Sequence, residues 1–219
     1  MSQRDYILRL AEEVGRVLAQ VIYRKQRQDY QGALNFIDEQ YRQLLGMGAG
    51  FIHAAPEETL LALLTSFDTL DTEKCWLVAT MLKAEGELYE LQDNENDSYY
   101  CFLKALNLFL EVLFMLNKSS HTEKTPEVEG LIARLTPFEV PEATRKRIFR
   151  YFEQTGRYAK AEDILSELLE AHPADAVMLN EGKAFYTRLL HQSDETLRAG
   201  NFSREEAKEG LERLERMRQ

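Results

Sequence analysis

The sequence predicts an all-α chain, built from helical hairpins packed as a compact, diverged right-handed α-α superhelix. Three observations carry that expectation. Apolar residues recur at helical spacing along almost the whole chain. Only five prolines and eleven glycines punctuate 219 residues. Gly156-Arg157-Tyr158, followed by Ala161, Leu165, Leu168 and Pro173, has the spacing of the return half of a two-helix repeat.

Each residue of that stretch has a mechanical task. Gly156 falls where one helix stops and the chain reverses, since glycine reaches the left-handed conformation without a Cβ clash. Tyr158 opens the return helix, and Ala161 is small enough for two backbones to approach. Leu165 and Leu168 extend the apolar stripe, and Pro173 closes the unit. This is tetratricopeptide spacing, with Ile148, Phe149 and Phe152 as anchors of the preceding helix. Phe149 departs from it, because a small residue is usual there, and sets the expectation of a wider gap between the helices. Two weaker echoes occur. Tyr30, Ala33 and Ile37 repeat the offsets with Gln28 in the glycine's place. Phe102, Ala105, Phe109 and Val112 repeat them after a polar loop that lengthens the turn. Their uneven separation favours a diverged bundle over a regular array.

The remaining elements follow in order. Asp5 to Arg27 carries a broad apolar stripe, and Tyr30 to Leu45 is its return. Gly46-Met47-Gly48-Ala49-Gly50 breaks the pattern, and Ala55-Pro56-Glu57-Glu58 restarts a helix that reaches about Ser66. Thr72 caps a helix to about Leu91, and Asp93 to Asp97 reads as a solvated turn. Phe102 to Leu116, apolar except at Lys104, Asn107 and Glu111, is the expected central helix, short for a membrane span. Asn117 to Pro126 has the composition of a mobile loop, and a short helix follows from about Glu127 to Leu135. Pro137 and Pro141 bracket a connector, and Glu142 begins the repeat. Ala176 to about Arg198 is helical, and Ser203-Arg204-Glu205-Glu206 is a capping box that starts a last helix toward Arg218.

Composition bounds the setting. The chain is long enough for a sizeable core, and 1–219 reads as one helical domain, with subdomains 1–117 and 125–219 joined by the polar loop as the alternative. The formal charge of −10, from 37 acidic against 27 basic side chains, disfavours nonspecific nucleic-acid binding and adhesion to anionic membranes. Residues 1–5 show neither an apolar core nor a cleavage site of signal-peptide type, so the expected setting is cytoplasmic. Cys75 and Cys101 are too few for a disulfide framework or a zinc motif, and read as small buried apolar residues.

Quoted together, Asp5-Tyr6-Ile7-Leu8-Arg9, Leu44-Leu45-Gly46, Gly156 to Asp163, Phe185-Tyr186 with Leu189-Leu190, and Ser193-Asp194-Glu195 with Leu197 and Gly200-Asn201 carry a family resemblance. Over essentially its whole length the chain resembles a bacterial family of uncharacterised proteins, a domain of unknown function with tetratricopeptide-like helices. The resemblance implies an all-helical fold and brings no activity, cofactor or catalytic residue. Repeat helices of this kind resemble modules that bind peptides or proteins, a scaffold shared by many tasks.

No sequence constellation carries catalysis, a cofactor or a metal. The glycine run follows a helix and lacks a P-loop ending, so it reads as a helix stop and hinge. Asp93 to Ser98 superficially looks like a calcium loop, but Ser98 stands where glycine is needed and Lys104 where the bidentate glutamate belongs. His53, His121, His172 and His191 are scattered. Asp194 and Glu195 diverge around a helix and fit a cap better than paired acid-base work. Tyr151, Tyr158, Tyr186 and Tyr99-Tyr100 have the character of groove residues or of packing residues. Arg145-Lys146-Arg147 with Arg150 is the dense basic cluster, able to grip a carboxylate or phosphate or simply to form a solvated face.

The leading functional expectation is a non-catalytic protein- or peptide-interaction module, with Arg145, Arg150, Tyr151 and Tyr186 as the groove. The alternative is a regulatory peptide-sensing protein without its own DNA-binding motif, lowered by the absence of a basic recognition helix. An enzyme with a site assembled from distant residues ranks third, because no nucleophile and base pair up in the sequence. A second copy covering an exposed helical edge puts a homodimer among the expectations, with the charged last helix as the competing cap.

Overall fold

The computed structural model describes residues 3–116, 125–173 and 175–217. Of the expected polar loop, Asn117 to Lys124 lie outside the described residues, His121 among them. All-α holds: among the described residues there are twelve helices and one two-stranded hairpin. The chain divides into two compact units, Met1–Glu139 and Val140–Gln219, and the division falls within the connector bracketed by Pro137 and Pro141.

The first unit comprises α1 (Gln3–Gln26), α2 (Tyr30–Leu45), α3 (Ala49–Ala54), α4 (Glu57–Leu63), β1 (Thr65–Ser66), β2 (Thr69–Leu70), α5 (Thr72–Glu90), α6 (Glu95–Met115) and α7 (Thr125–Leu135). Helix α5 packs against α1, α2 and α6, and α6 also packs against α7. The α5–α6 seam is close because Gly86 lets Phe102 approach its backbone, while the Trp76 and Phe109 rings meet at 4.3 Å between centroids. Helix α6 is buried on most of its circumference, as its composition predicts. It starts at Glu95, capped by the Asn94 side chain accepting from Asp97 N, so the expected polar turn is mostly helix. At 21 residues, with an 18-residue window of mean hydropathy 1.3, it is long and apolar enough to cross a membrane, and 61% of that window is buried against its neighbours, as in a core helix.

Three local readings change. The glycine run is not one long break. Gly46 ends α2 in the left-handed conformation at φ 72°, and α3 begins at Ala49, whose N–H donates to Asp38 Oδ1 at 2.6 Å. That hydrogen bond holds the Asp38 carboxyl below the usual range. Helix α4 stops at Leu63, because Phe67 and Asp68, at φ 51° and 58°, turn the chain back through the antiparallel β1–β2 pair. The cap of α5 is Asp71, which accepts from Lys74 N, and Thr72 is already helical.

The second unit comprises α8 (Glu142–Gln154), α9 (Tyr158–Ala171), α10 (Ala176–Leu190), α11 (Asp194–Ala199) and α12 (Arg204–Arg216). Helix α8 packs on α9, and α10 on α9 and α12. The helical signature residues of the repeat-like stretch, Tyr158, Ala161, Leu165 and Leu168, are buried. Phe149 is buried too, its ring edge-on to Phe185 of α10 at 5.3 Å. The expected long helix from Ala176 breaks after Leu190, where Ser193 accepts from Thr196 N and starts α11, with Asp194 and Glu195 in its first turn. Ser203 and Glu206 form the reciprocal capping box at α12.

One turn recurs through both units. At Gly156 the glycine N–H donates to Glu153 O and the next N–H, of Arg157, donates to Phe152 O, the paired bonds of a Schellman C-cap. The same pair of bonds closes α1 around Gln28, α5 around Asp93 and α11 around Asn201. All four central residues are left-handed, with φ 75°, 59°, 55° and 55° respectively. The Gln28 echo therefore has the geometry as well as the spacing of the Gly156 turn. The Phe102 echo has the turn geometry, at Asp93, but not the spacing, because that turn lies well before Phe102 and is not lengthened.

Candidate functional site

The four residues expected to line a groove separate into two kinds. Tyr151 and Tyr186 are core residues, at 1% and 0% exposure. The apolar face of α8 is wide enough to take Ile148, Phe149, Tyr151 and Phe152 together. Tyr186 points its hydroxyl at Glu162 Oε1, donating at 2.9 Å, and Arg213 Nη2 reaches both that oxygen, at 3.1 Å, and the hydroxyl, at 3.2 Å. Gly210 of α12 lies directly over the Tyr186 ring, where a Cβ would clash. Burial pushes the Tyr186 hydroxyl far up from its ordinary value. These two tyrosines therefore correct the expected groove: their rings are packing elements. Arg150 is exposed and Arg145 half-buried on α8. Within the basic cluster, Lys146 pairs with Glu142 at 2.6 Å, and His172 meets the other oxygen of Glu142 at 3.0 Å.

A different constellation assembles in the first unit. Glu85, in the middle of α5, is 1% exposed. Its Oε2 accepts from the Tyr41 hydroxyl of α2 at 2.8 Å and lies 3.1 Å from His53 Nε2 of α3. Cys101 Sγ, on α6, lies 3.8 Å from the same imidazole nitrogen. The ligand-type atoms of His53, Glu85 and Cys101 all fall within 4.8 Å of one another. The hydrogen bond to Glu85 raises the His53 pKa, outweighing the opposing effect of burial and of Lys104. Burial pushes the Cys101 thiol far up and raises Tyr41 well above its ordinary value.

What places His53 is a borrowed cap. Helix α3 has six residues, too few for its own hydrogen bonds to hold it. Lys104 reaches from α6 and donates to Ile52 O at 2.9 Å, His53 O at 2.5 Å and Ala55 O at 2.8 Å. Those are carbonyls that a helix end leaves without intrahelical partners, at the negative end of its dipole. Burial lowers the Lys104 pKa from its ordinary value. Its neighbours complete a surface cavity of about 300 Å3 lined by Gly50, His53, Ala54, Asp97, Tyr100, Cys101 and Lys104. Tyr100 is 52% exposed, its ring edge-on to Tyr99 at 5.1 Å.

The arrangement limits the chemistry. In a thiol-imidazole-acid relay, the thiol and the carboxyl sit on opposite ring nitrogens. Here both face Nε2. A thiol raised by burial is a poor nucleophile near neutral pH. The constellation is suited to binding. Sequence reading missed it because His53, Glu85 and Cys101 are 32 and 48 residues apart, as measured from His53, on three helices. One signal was present: Glu85 falls on the apolar stripe of α5, three before Leu88 and four after Met81.

Among curated proteins and among solved structures, no match to this chain is found. A family described as of unknown function, DUF6483, matches over residues 1–219, so the chain belongs to that family.

Proposed function

We propose that the chain is a non-catalytic protein- or peptide-interaction module built from tetratricopeptide-like hairpins, in a bacterial, cytoplasmic setting. The observation that carries this reading is the His53 cavity. It is open at the surface, bears an exposed aromatic residue in its wall and has polar groups at its base, a combination suited to seating one side chain of a partner. Its size is at the small end of ligand sites, which favours an anchoring side chain over a large cofactor. The matching Schellman turns support the hairpin part of the reading, since three of the four join helices that pack on each other: α1 with α2, α5 with α6 and α8 with α9.

The occupant is a peptide segment with a basic side chain as its anchor. Asp97 lines the cavity, the Lys104 ammonium is engaged by three carbonyls, and the whole chain carries a charge of −10. The same acidic balance speaks for a partner other than nucleic acid or an anionic membrane. Arg145 and Arg150 form a second contact surface, on the other unit, for a carboxylate-bearing partner. An array of short peptides probed with the full-length protein tests the reading. Selective binding of basic peptides, weakened about tenfold or more by Tyr100→Ala, is the expected result. Binding by no peptide, or equal binding by Tyr100→Ala, would overturn the cavity assignment. Arg150→Glu tests the second surface in the same assay.

A further inference from the structure

We propose that His53, Glu85 and Cys101 form a binding site for a zinc-type divalent transition-metal ion, at the base of the cavity in the first unit. The donor set is a neutral imidazole nitrogen, a carboxyl oxygen and a sulfur, the three ligand types that zinc takes together. A tetrahedral zinc ion at ordinary bond lengths places its donor atoms about 3.3–3.6 Å apart. The observed 3.1 Å from nitrogen to oxygen and 3.8 Å from nitrogen to sulfur lie just either side of that interval, and the oxygen and sulfur, within 4.8 Å of each other, draw together as the ion binds. Convergence of the thiol and the carboxyl on one ring nitrogen, which defeats a relay, is what a shared metal ion requires.

Two further features support the site. Tyr41 donates to Glu85 Oε2 at 2.8 Å from a fully buried position, an outer partner that orients a ligating carboxyl. His53 and Cys101 line the cavity, leaving space beside them for a water molecule or ligand atom as the fourth donor. Binding forms a sulfur-metal bond as the Cys101 S–H bond ionises, and the proton passes to solvent. The inference does not depend on the peptide reading, because the three donors are in place whether or not the cavity holds a side chain.

The test uses the full-length chain, reduced and freed of metal with a chelator. Zn2+ alone is titrated in competition with a chromophoric chelator, and Co2+ alone is followed by absorption. A single tight site and a thiolate-to-Co2+ charge-transfer band are expected. Cys101→Ala and His53→Gln each weaken Zn2+ binding by about 100-fold or more, since outer-shell losses alone cost about 10–100-fold. Cys75→Ala, on α5 with its sulfur against Leu108 O of α6, leaves the affinity unchanged. Absence of the band in the wild-type protein overturns the site without reference to any variant. So does Zn2+ binding that survives Cys101→Ala, which would place the ion on surface carboxyl groups. Repeating the peptide array with chelator present reads the interaction module separately, so either idea can fail while the other stands.

Discussion

The α8–α9 hairpin of the second unit and the α5–α6 pair of the first both bury aromatic rings between helices, yet they treat polar atoms differently. Around α8 and α9 the buried side chains are mostly Ile, Phe, Leu and Ala, and the tyrosines pack as rings. The polar cluster of that unit, Glu162 with Tyr186 and Arg213, has its hydrogen bonds closed internally. Where α3 meets the α5–α6 pair, an imidazole and a thiol line an open cavity and a buried carboxyl lies behind them. The lesson is that the stretch most legible as a repeat buries its signature residues in packing, while the unit with weaker repeat signals brings a carboxyl, an imidazole and a thiol together beside a cavity.

The largest expected effect tests the packing side of that contrast. Phe185→Ala removes a ring that touches both Phe149 and Tyr186, and should cost about 3–5 kcal/mol in urea denaturation. A cost below about 1 kcal/mol would show that this core tolerates a void. Next, Glu85→Ala leaves the buried Tyr41 hydroxyl without its acceptor and should cost about 1–3 kcal/mol. Pairing Glu85→Ala with Tyr41→Phe restores much of that loss if the hydrogen bond is its source.

A third test, a pair of changes, places the same turn in each unit under test. Gly156→Ala forces a Cβ into the left-handed region and should destabilise by about 1–2 kcal/mol. Gln28→Gly relieves the same strain and should stabilise, by about 0.5–1 kcal/mol once the added freedom of the unfolded chain is deducted. Equal signs from the two variants would break the equivalence of the turns. The smallest effect is electrostatic. The folded pKa of His53 is raised above its unfolded value, so its contribution is complete below about pH 6.5 and is lost as pH rises through the folded value. The urea midpoint gap between wild type and Glu85→Gln should narrow over that rise. A gap that stays constant with pH would detach His53 from Glu85.

Much of the helical framework was legible because helices announce themselves by apolar spacing and by caps such as Ser203 with Glu206. The Gly156 turn was legible because glycine is the residue whose backbone freedom the geometry needs. Its equivalents at Gln28, Asp93 and Asn201 were not all recognised as the same turn, since the hydrogen-bond pattern is shared and the residue type is not. Helix α3 was hidden for a related reason: its ends are held by Asp38 and Lys104, residues distant in sequence. The candidate site was hidden most deeply, because nothing local requires a lone His, Glu and Cys on three helices to converge. Tyr151 misled in the other direction. A tyrosine beside Ile148, Phe149 and Phe152 belongs to the same buried face, and its hydroxyl gave it the look of a surface residue.

The contact between Lys104 and α3 has a consequence in time as well as in space. A six-residue helix held at its start by Asp38 and at its end by an ammonium from α6 has little lifetime of its own; its amides stay protected from solvent deuterium while those neighbours stay in place. The exchange of α3 is therefore tied to α2 and α6 and not to its own length, and loosening the Lys104 contact frees the carbonyls beside His53.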